Sequence, residues 1–186
     1  KPTADDTVLI IGAGPIGLTC VEFTRLTPAK MIVMDMNEDR LAFCRDQMGV
    51  ESTVTFKGDD SELQALLDAN HNELPTIVID ATGNAQSMAN AMNYVAHTGT
   101  LVYVGITLGE IVFPHRWLHA KEMNLLASRN ALPGDFARII KLIEEGQIDT
   151  RPWITHRTTL EDLPNVFDSY TKSETGVIKA IVTIQD

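Results

Sequence analysis

Three glycines, Gly12, Gly14 and Gly17, stand at G-x-G-x-x-G spacing within VLIIGAGPIGLTC. That spacing suits the holding of a diphosphate. The first glycine permits a sharp turn, the second lets the backbone approach phosphate oxygens, and the third lets a helix pack closely on a strand. Pro15 fits a first helical position, because its missing N–H is not needed there. The phosphate donors must then be neighbouring amides, Ile16 first among them, aided by the partial positive charge of a helix start. Asp35, 18 residues beyond Gly17, ends the next apolar run, where its carboxylate can accept from the hydroxyls of an adenosine ribose. The same charge repels a 2′-phosphate, so NAD(H) is expected over NADP(H). Arg40 is expected at the adenine side or in a surface ion pair.

Other residues fall at the ends of later apolar runs, on the edge where ligands of layered α/β folds bind. Thr82 and Gly83, in DATGN, are expected beside the adenosine or its ribose. Val104, Gly105 and Ile106, with Ser128 and Arg129, are candidates for the nicotinamide side. A plain strand-ending turn is the competing account of each. Residues that would carry out chemistry are harder to find. Of the five histidines only His115 and His119 share a helical face, and two histidines without a third ligand read as surface residues rather than a metal site. The chain contains no Y-x-x-x-K and no G-x-S-x-G. A cofactor site is legible, and a catalytic one is not.

The elements that must position these residues follow from the apolar pattern. Val8–Ile11, Met31–Met34, ESTVTF, TIVIDATG, TLVYVG and NLLAS read as strands, separated by segments with apolar residues at helical spacing. Strands apolar throughout imply a parallel sheet covered on both faces, and right-handed crossovers favour the six-stranded, doubly wound Rossmann type. The pattern changes after Gly146. A strand is expected around Trp153, then a helix N-capped by Thr159 with Leu163, Val166, Phe167 and Tyr170 inward, then a strand over Val177–Ile184. The expected division is a nucleotide-binding domain over 1–150 and an appended segment over 151–186.

With 186 residues, 44% of them hydrophobic, the chain can bury a full core. A net charge of −10 argues against a nucleic-acid or anionic-membrane surface, and no apolar run is long enough to span a bilayer. Cys20 and Cys44 form neither a disulfide framework nor zinc-ligand spacing, which points to a reducing, cytoplasmic setting. The opening on Lys1, with a strand a few residues in, suggests a processed or truncated chain.

DTVLIIGAGPIGL, VIDATGN, GTLVYVGI, KEMNLLASRN and WITHRTTLEDL…GVIKAIVTI together resemble the zinc-containing medium-chain alcohol dehydrogenases. The ATGN and KE…SRNA…DF segments look most like the branch acting on polyols and sugar acids, such as sorbitol, idonate and galactonate dehydrogenases. The resemblance runs from Asp6 to Ile184. It implies the nucleotide domain plus the returning end of a catalytic domain, a C-terminal fragment whose zinc ligands lie outside this chain. The cofactor would rest on Gly12, Gly14, Pro15, Ile16 and Gly17, with Asp35 and Arg40 on adenosine and Val104–Ile106 and Ser128–Arg129 at the nicotinamide. Lys179 stands where the family often has a basic residue, a second phosphate contact or a solvated strand lysine. In the whole enzyme zinc would polarise an alcohol and hydride would pass to NAD; the fragment alone is expected to be inactive. The resemblance also implies a homodimer or tetramer, with Gly109–Phe113 as a pairing edge. A non-catalytic NAD(H)-sensing module is the alternative reading, and a methyltransferase using a similar glycine loop is a weaker third.

Overall fold

The computed structural model describes residues 1–184. Their contacts divide the chain into two compact units, Lys1–Ala131 and Leu132–Asp186. In the first unit the strands are β1 (Thr7–Ile11), β2 (Lys30–Asp35), β3 (Ser52–Thr55), β4 (Ile77–Asp80), β5 (Thr100–Tyr103) and β6 (Asn124–Ala127). All pair in parallel, in the order β3-β2-β1-β4-β5-β6. This is the doubly wound sheet expected from the unbroken apolar strands. The order reverses between β1 and β4, so both strands end at the switch point where such sheets take ligands.

Every residue of β1 is buried, as a central strand covered on both faces requires. Leu9 and Ile11 join Ile32, Met34, Val78 and Leu101 in a cluster closed by Leu66, Met92 and Val95. Val8 and Ile10 alternate to the opposite face, where α1 (Pro15–Arg25) buries Leu18 and Val21 and α2 (Glu38–Met48) buries Leu41, Cys44 and Met48. Each such side chain contributes about 1.5–3 kcal/mol relative to an exposed one. The cluster face carries α3 (Ser61–Ala69) and α4 (Ala85–Asn90), and Trp117 and Leu118 of the short α5 (His115–Ala120) pack against its edge. Lys121 closes the turn after α4, its ammonium donating to the carbonyls of Met92, Asn93 and Val95 at 3.0, 3.0 and 2.7 Å.

The second unit contains α6 (Pro133–Glu144), β7 (Ile154–Thr159), α7 (Leu163–Tyr170) and β8 (Lys179–Thr183), with β7 and β8 paired in parallel. The strand expected around Trp153 is β7, which starts one residue after the short 3₁₀ turn that Trp153 ends. One local expectation needs correction. Thr159 ends β7 instead of capping a helix. Its hydroxyl accepts from the Asp162 amide at 3.2 Å, and α7 begins only after Asp162, with a proline in its first turn. The contact division also assigns α6 to the second unit, whereas the change of sequence pattern suggested a boundary at 150.

Candidate functional site

The C-terminal edge of β1 turns at Gly12, whose φ of +98° favours glycine. Its amide donates to the Met34 carbonyl at 2.8 Å, which ties the turn to β2. α1 starts at Pro15, as the spacing predicts. Gly17 is the point of closest packing. A Cβ there would collide with the Gly12 carbonyl, its carbon 2.8 Å away, so no side chain fits. Gly14 differs: it is the N-cap of α1 in an ordinary extended conformation, and a Cβ would find only Arg40 Nη1, at 3.9 Å. The space over Gly14 is open.

Helix caps in this unit differ: α2 and α4 have side-chain caps, whereas α1, α3 and α5 do not. Asn37 caps α2 by accepting from the amides of Asp39 and Arg40, and Asn84 caps α4 by accepting from Gln86 and Ser87. α1 has no side-chain cap. Its first-turn amides, including that of the half-exposed Ile16, have no carbonyl one turn earlier to bond. Uncapped amides, a helix-start dipole and a glycine without a side chain form a cradle for an anion.

Asp35 supports the cradle from below. Its carboxylate is buried, with Oδ2 accepting from the Ala13 amide at 2.6 Å and Oδ1 from Asn37 at 2.8 Å. Sequence reasoning gave Asp35 a ligand to bind; the structure adds that it fixes the glycine loop and the start of α2. Each oxygen keeps further acceptor capacity. Arg40 forms no ion pair among the described residues, and its guanidinium lies beside Gly14. The surface ion pair that was one expectation for it is therefore absent.

The remaining predicted residues meet at one edge. Asp80, at the end of β4, is wholly buried. Its Oδ1 accepts from the Thr82 amide and hydroxyl at 2.9 and 2.7 Å, and its Oδ2 accepts from the Ser87 hydroxyl at 2.8 Å. Its backbone carbonyl takes the amides of Val104 and Gly105, both at 3.0 Å. Asp80 thus orders two of the predicted loops, a role that residue type alone did not reveal. Gly83, at φ +66°, and Gly105 pack backbone against backbone: a Cβ on Gly105 would lie 2.5 Å from the Gly83 amide nitrogen. Ser128 follows β6, its amide donating to the Tyr103 carbonyl at 2.9 Å.

Two clefts flank the start of α1. The first, about 170 Å³, is lined by Gly12, Asp35 and Thr82 and also by Met36, Phe56, Asn84, Gln86, Ser87, Asn90 and Tyr94. The second, about 590 Å³, is lined by Ile16, Val104, Gly105, Ile106, Ser128 and Arg129, with Met88 and Tyr103 among its other walls. Of the other predicted residues, Gly14, Pro15, Gly17, Arg40 and Gly83 line neither of these two clefts. Phe56, Asn90 and Tyr94, which also line the first cleft, were not singled out because none of them stands within a glycine motif.

Among the described residues no three His, Cys, Asp or Glu side chains form a group that could hold a metal ion. His115 and His119 do face each other, with ring centroids 5.8 Å apart. Cys20 and Cys44 are unpaired, and burial pushes both thiols up to about 11. Among the described residues no helix is long and apolar enough to cross a membrane. Gly109–Phe113 forms no strand in the single chain, although Ile111 and Phe113 pack inward while Glu110 and Val112 face out. Lys179 lies exposed on β8.

A family model described as zinc-binding dehydrogenase matches residues 15–145. The chain is 33% identical over 177 residues to an L-galactonate-5-dehydrogenase of Escherichia coli K12, covering 95% of this chain and 51% of that protein. It is 30% identical to an L-arabinitol 4-dehydrogenase of Aureobasidium melanogenum, covering 94% and 48%. Among solved structures it superposes on a zinc-dependent alcohol dehydrogenase 2 of Streptococcus pneumonia with a TM-score of 0.90 at 18% identity, covering 100% of this chain and 54% of that one. A short chain alcohol dehydrogenase of E. coli CFT073, complexed with NADH, gives 0.86 at 24%, covering 98% and 53%. At those identities the likeness is one of fold. The chain spans about half the length of the curated relatives it matches.

Proposed function

The chain belongs to the zinc-binding dehydrogenase family, and from that premise we propose that it is the NAD(H)-binding portion of a dehydrogenase acting on polyols or sugar acids. One observation carries the reading: the uncapped start of α1, open over Gly14 and buttressed by Asp35, lies between two clefts. In this reading the first-turn amides of α1 and the Arg40 guanidinium hold the diphosphate. Asp35 accepts from the adenosine ribose and disfavours a 2′-phosphate. Thr82 and Gly83 border the ribose, while Val104–Ile106, Ser128 and Arg129 bound the nicotinamide cleft and exclude water from it. NAD supplies the hydride acceptor when bound. The described residues do not fit a zinc ion, so its ligands are assigned to residues outside this chain, and the chain alone is expected to turn nothing over.

The nucleotide-binding part is taken as 1–150 and the returning segment of the catalytic domain as 151–186. The family match speaks against a free-standing NAD(H) sensor and against a methyltransferase. Association as a homodimer or tetramer through Gly109–Phe113 is supported by its strand-like alternation, and a monomeric mass by light scattering would count against it. Two unpaired cysteines, Cys44 buried and Cys20 partly so, support a cytoplasmic setting. Fluorescence titration with NADH and NADPH, following Trp117 and Trp153, tests the cofactor reading. NADH should bind saturably and more tightly than NADPH; preference for NADPH would overturn it.

A further inference from the structure

The first cleft has apolar walls, Ile11, Met34 and Phe56, and a tyrosine, Tyr94, drawn from the turn after α4. Behind Tyr94, in the first turn of α3, Glu62 is almost wholly buried. The Tyr94 hydroxyl donates to Glu62 Oε1 at 3.2 Å. Glu62 Oε2 is shielded from solvent and has no hydrogen-bond partner among the described residues. A buried carboxylate with an unpaired oxygen is an expensive feature to keep for packing alone.

We propose that Glu62 and Tyr94 make the cleft selective for adenine over 6-oxopurines. Glu62 is the positioning residue and Tyr94 the contact. The argument rests on the NAD(H) reading given above. A tyrosine hydroxyl has one proton to give, and here it is committed to Glu62. Toward the cleft, Tyr94 can then only accept. The uncompensated Glu62 charge behind it strengthens that acceptor and disfavours a facing carbonyl. Adenine offers an exocyclic amine at C6, a donor; hypoxanthine offers an oxygen there, an acceptor opposed to an acceptor. Burial first, and then the Glu62 and Asp60 charges, hold the Tyr94 hydroxyl well above its ordinary pKa, so its proton stays in place at neutral pH. Sites that read a polar group with a committed partner discriminate strongly against analogues that cannot match it.

The test is the ratio of dissociation constants for deamino-NADH, in which hypoxanthine replaces adenine, and NADH, measured by calorimetry on the intact chain. The wild type should favour NADH at least tenfold. In Glu62→Gln the amide can donate to the tyrosine oxygen and release the hydroxyl proton toward the cleft, so the ratio should fall to near one or invert. In Tyr94→Phe it should fall to near one, with NADH binding weakened and deamino-NADH binding little changed. A wild-type ratio near one, with NADH bound, overturns this inference and leaves the NAD(H) reading intact; it needs no variant to fold. A ratio unchanged in folded Glu62→Gln also overturns it. Failure of both dinucleotides to bind overturns the two readings together.

Discussion

Two single-methyl substitutions in the glycine loop should have opposite consequences. In Gly14→Ala the new methyl sits on an extended backbone, φ −79° and ψ −179°, that alanine adopts without strain. Its nearest neighbour would be Arg40 Nη1 at 3.9 Å, an ordinary contact. Folding stability should therefore hold, or rise by about 0.4–1 kcal/mol as the unfolded chain loses freedom. Binding should suffer, because the methyl occupies the open space beside the first-turn amides. Losing one charge-assisted hydrogen bond, about 1.5–3 kcal/mol, weakens NADH roughly ten- to hundred-fold. In Gly17→Ala the methyl instead meets the Gly12 carbonyl, whose carbon is 2.8 Å away. Backbone cannot rotate aside as a side chain can, so β1 and α1 must separate, at about 1–3 kcal/mol or more. Urea denaturation followed by circular dichroism gives the stabilities, and calorimetry with NADH gives the affinities. Wild-type affinity in folded Gly14→Ala would refute the claim that the opening over Gly14 receives the diphosphate. Wild-type stability in Gly17→Ala would refute the close-packing argument.

Asp80→Ala should destabilise the chain by roughly 2–4 kcal/mol in urea and weaken NADH further, because the Thr82 amide and hydroxyl and the Ser87 hydroxyl lose their acceptor. Lys121→Met strips the donor from three carbonyls and should lower stability by about 1–3 kcal/mol in the same assay, with NADH affinity unchanged in the folded fraction. In the second unit, hydrogen bonds from Arg151 hold the Asp149 carboxyl down at about 2. Its folded value lies below the ordinary 3.8, so its contribution is present above that pH and is lost as pH falls through about 2. NMR titration should find that midpoint, and Arg151→Gln should return it toward 3.8.

The sheet was legible because β1, β2 and β4 carry unbroken apolar runs, Val8–Ile11, Met31–Met34 and Ile77–Ile79, a pattern that burial on both faces requires. The glycine loop was legible for a related reason, since Gly12 and Gly17 answer separate steric demands, a left-handed turn and close helix–strand packing. Asp80 was quoted within DATGN yet not recognised as the residue that orders two loops, because its partners come from three different segments. Phe56, Tyr94 and Glu62 carry no local signal: they meet the first cleft, or back it, only after β3, α3 and the turn after α4 have folded together. Thr159 shows the limit of capping patterns. Threonine three residues before an acid suits a helix start, but here the strand runs through it and the hydroxyl is taken by the Asp162 amide.

The central claim is that NADH lies across the start of α1 with one end in each cleft. Backbone NMR of the isotopically labelled chain, with and without NADH, tests it most directly. The account predicts large shifts at the amides of Ala13, Gly14, Ile16 and Gly17, with further shifts at Asp35, Thr82 and Gly83 and at Val104–Ile106. Shifts confined to other segments, or none at saturating NADH, would contradict it.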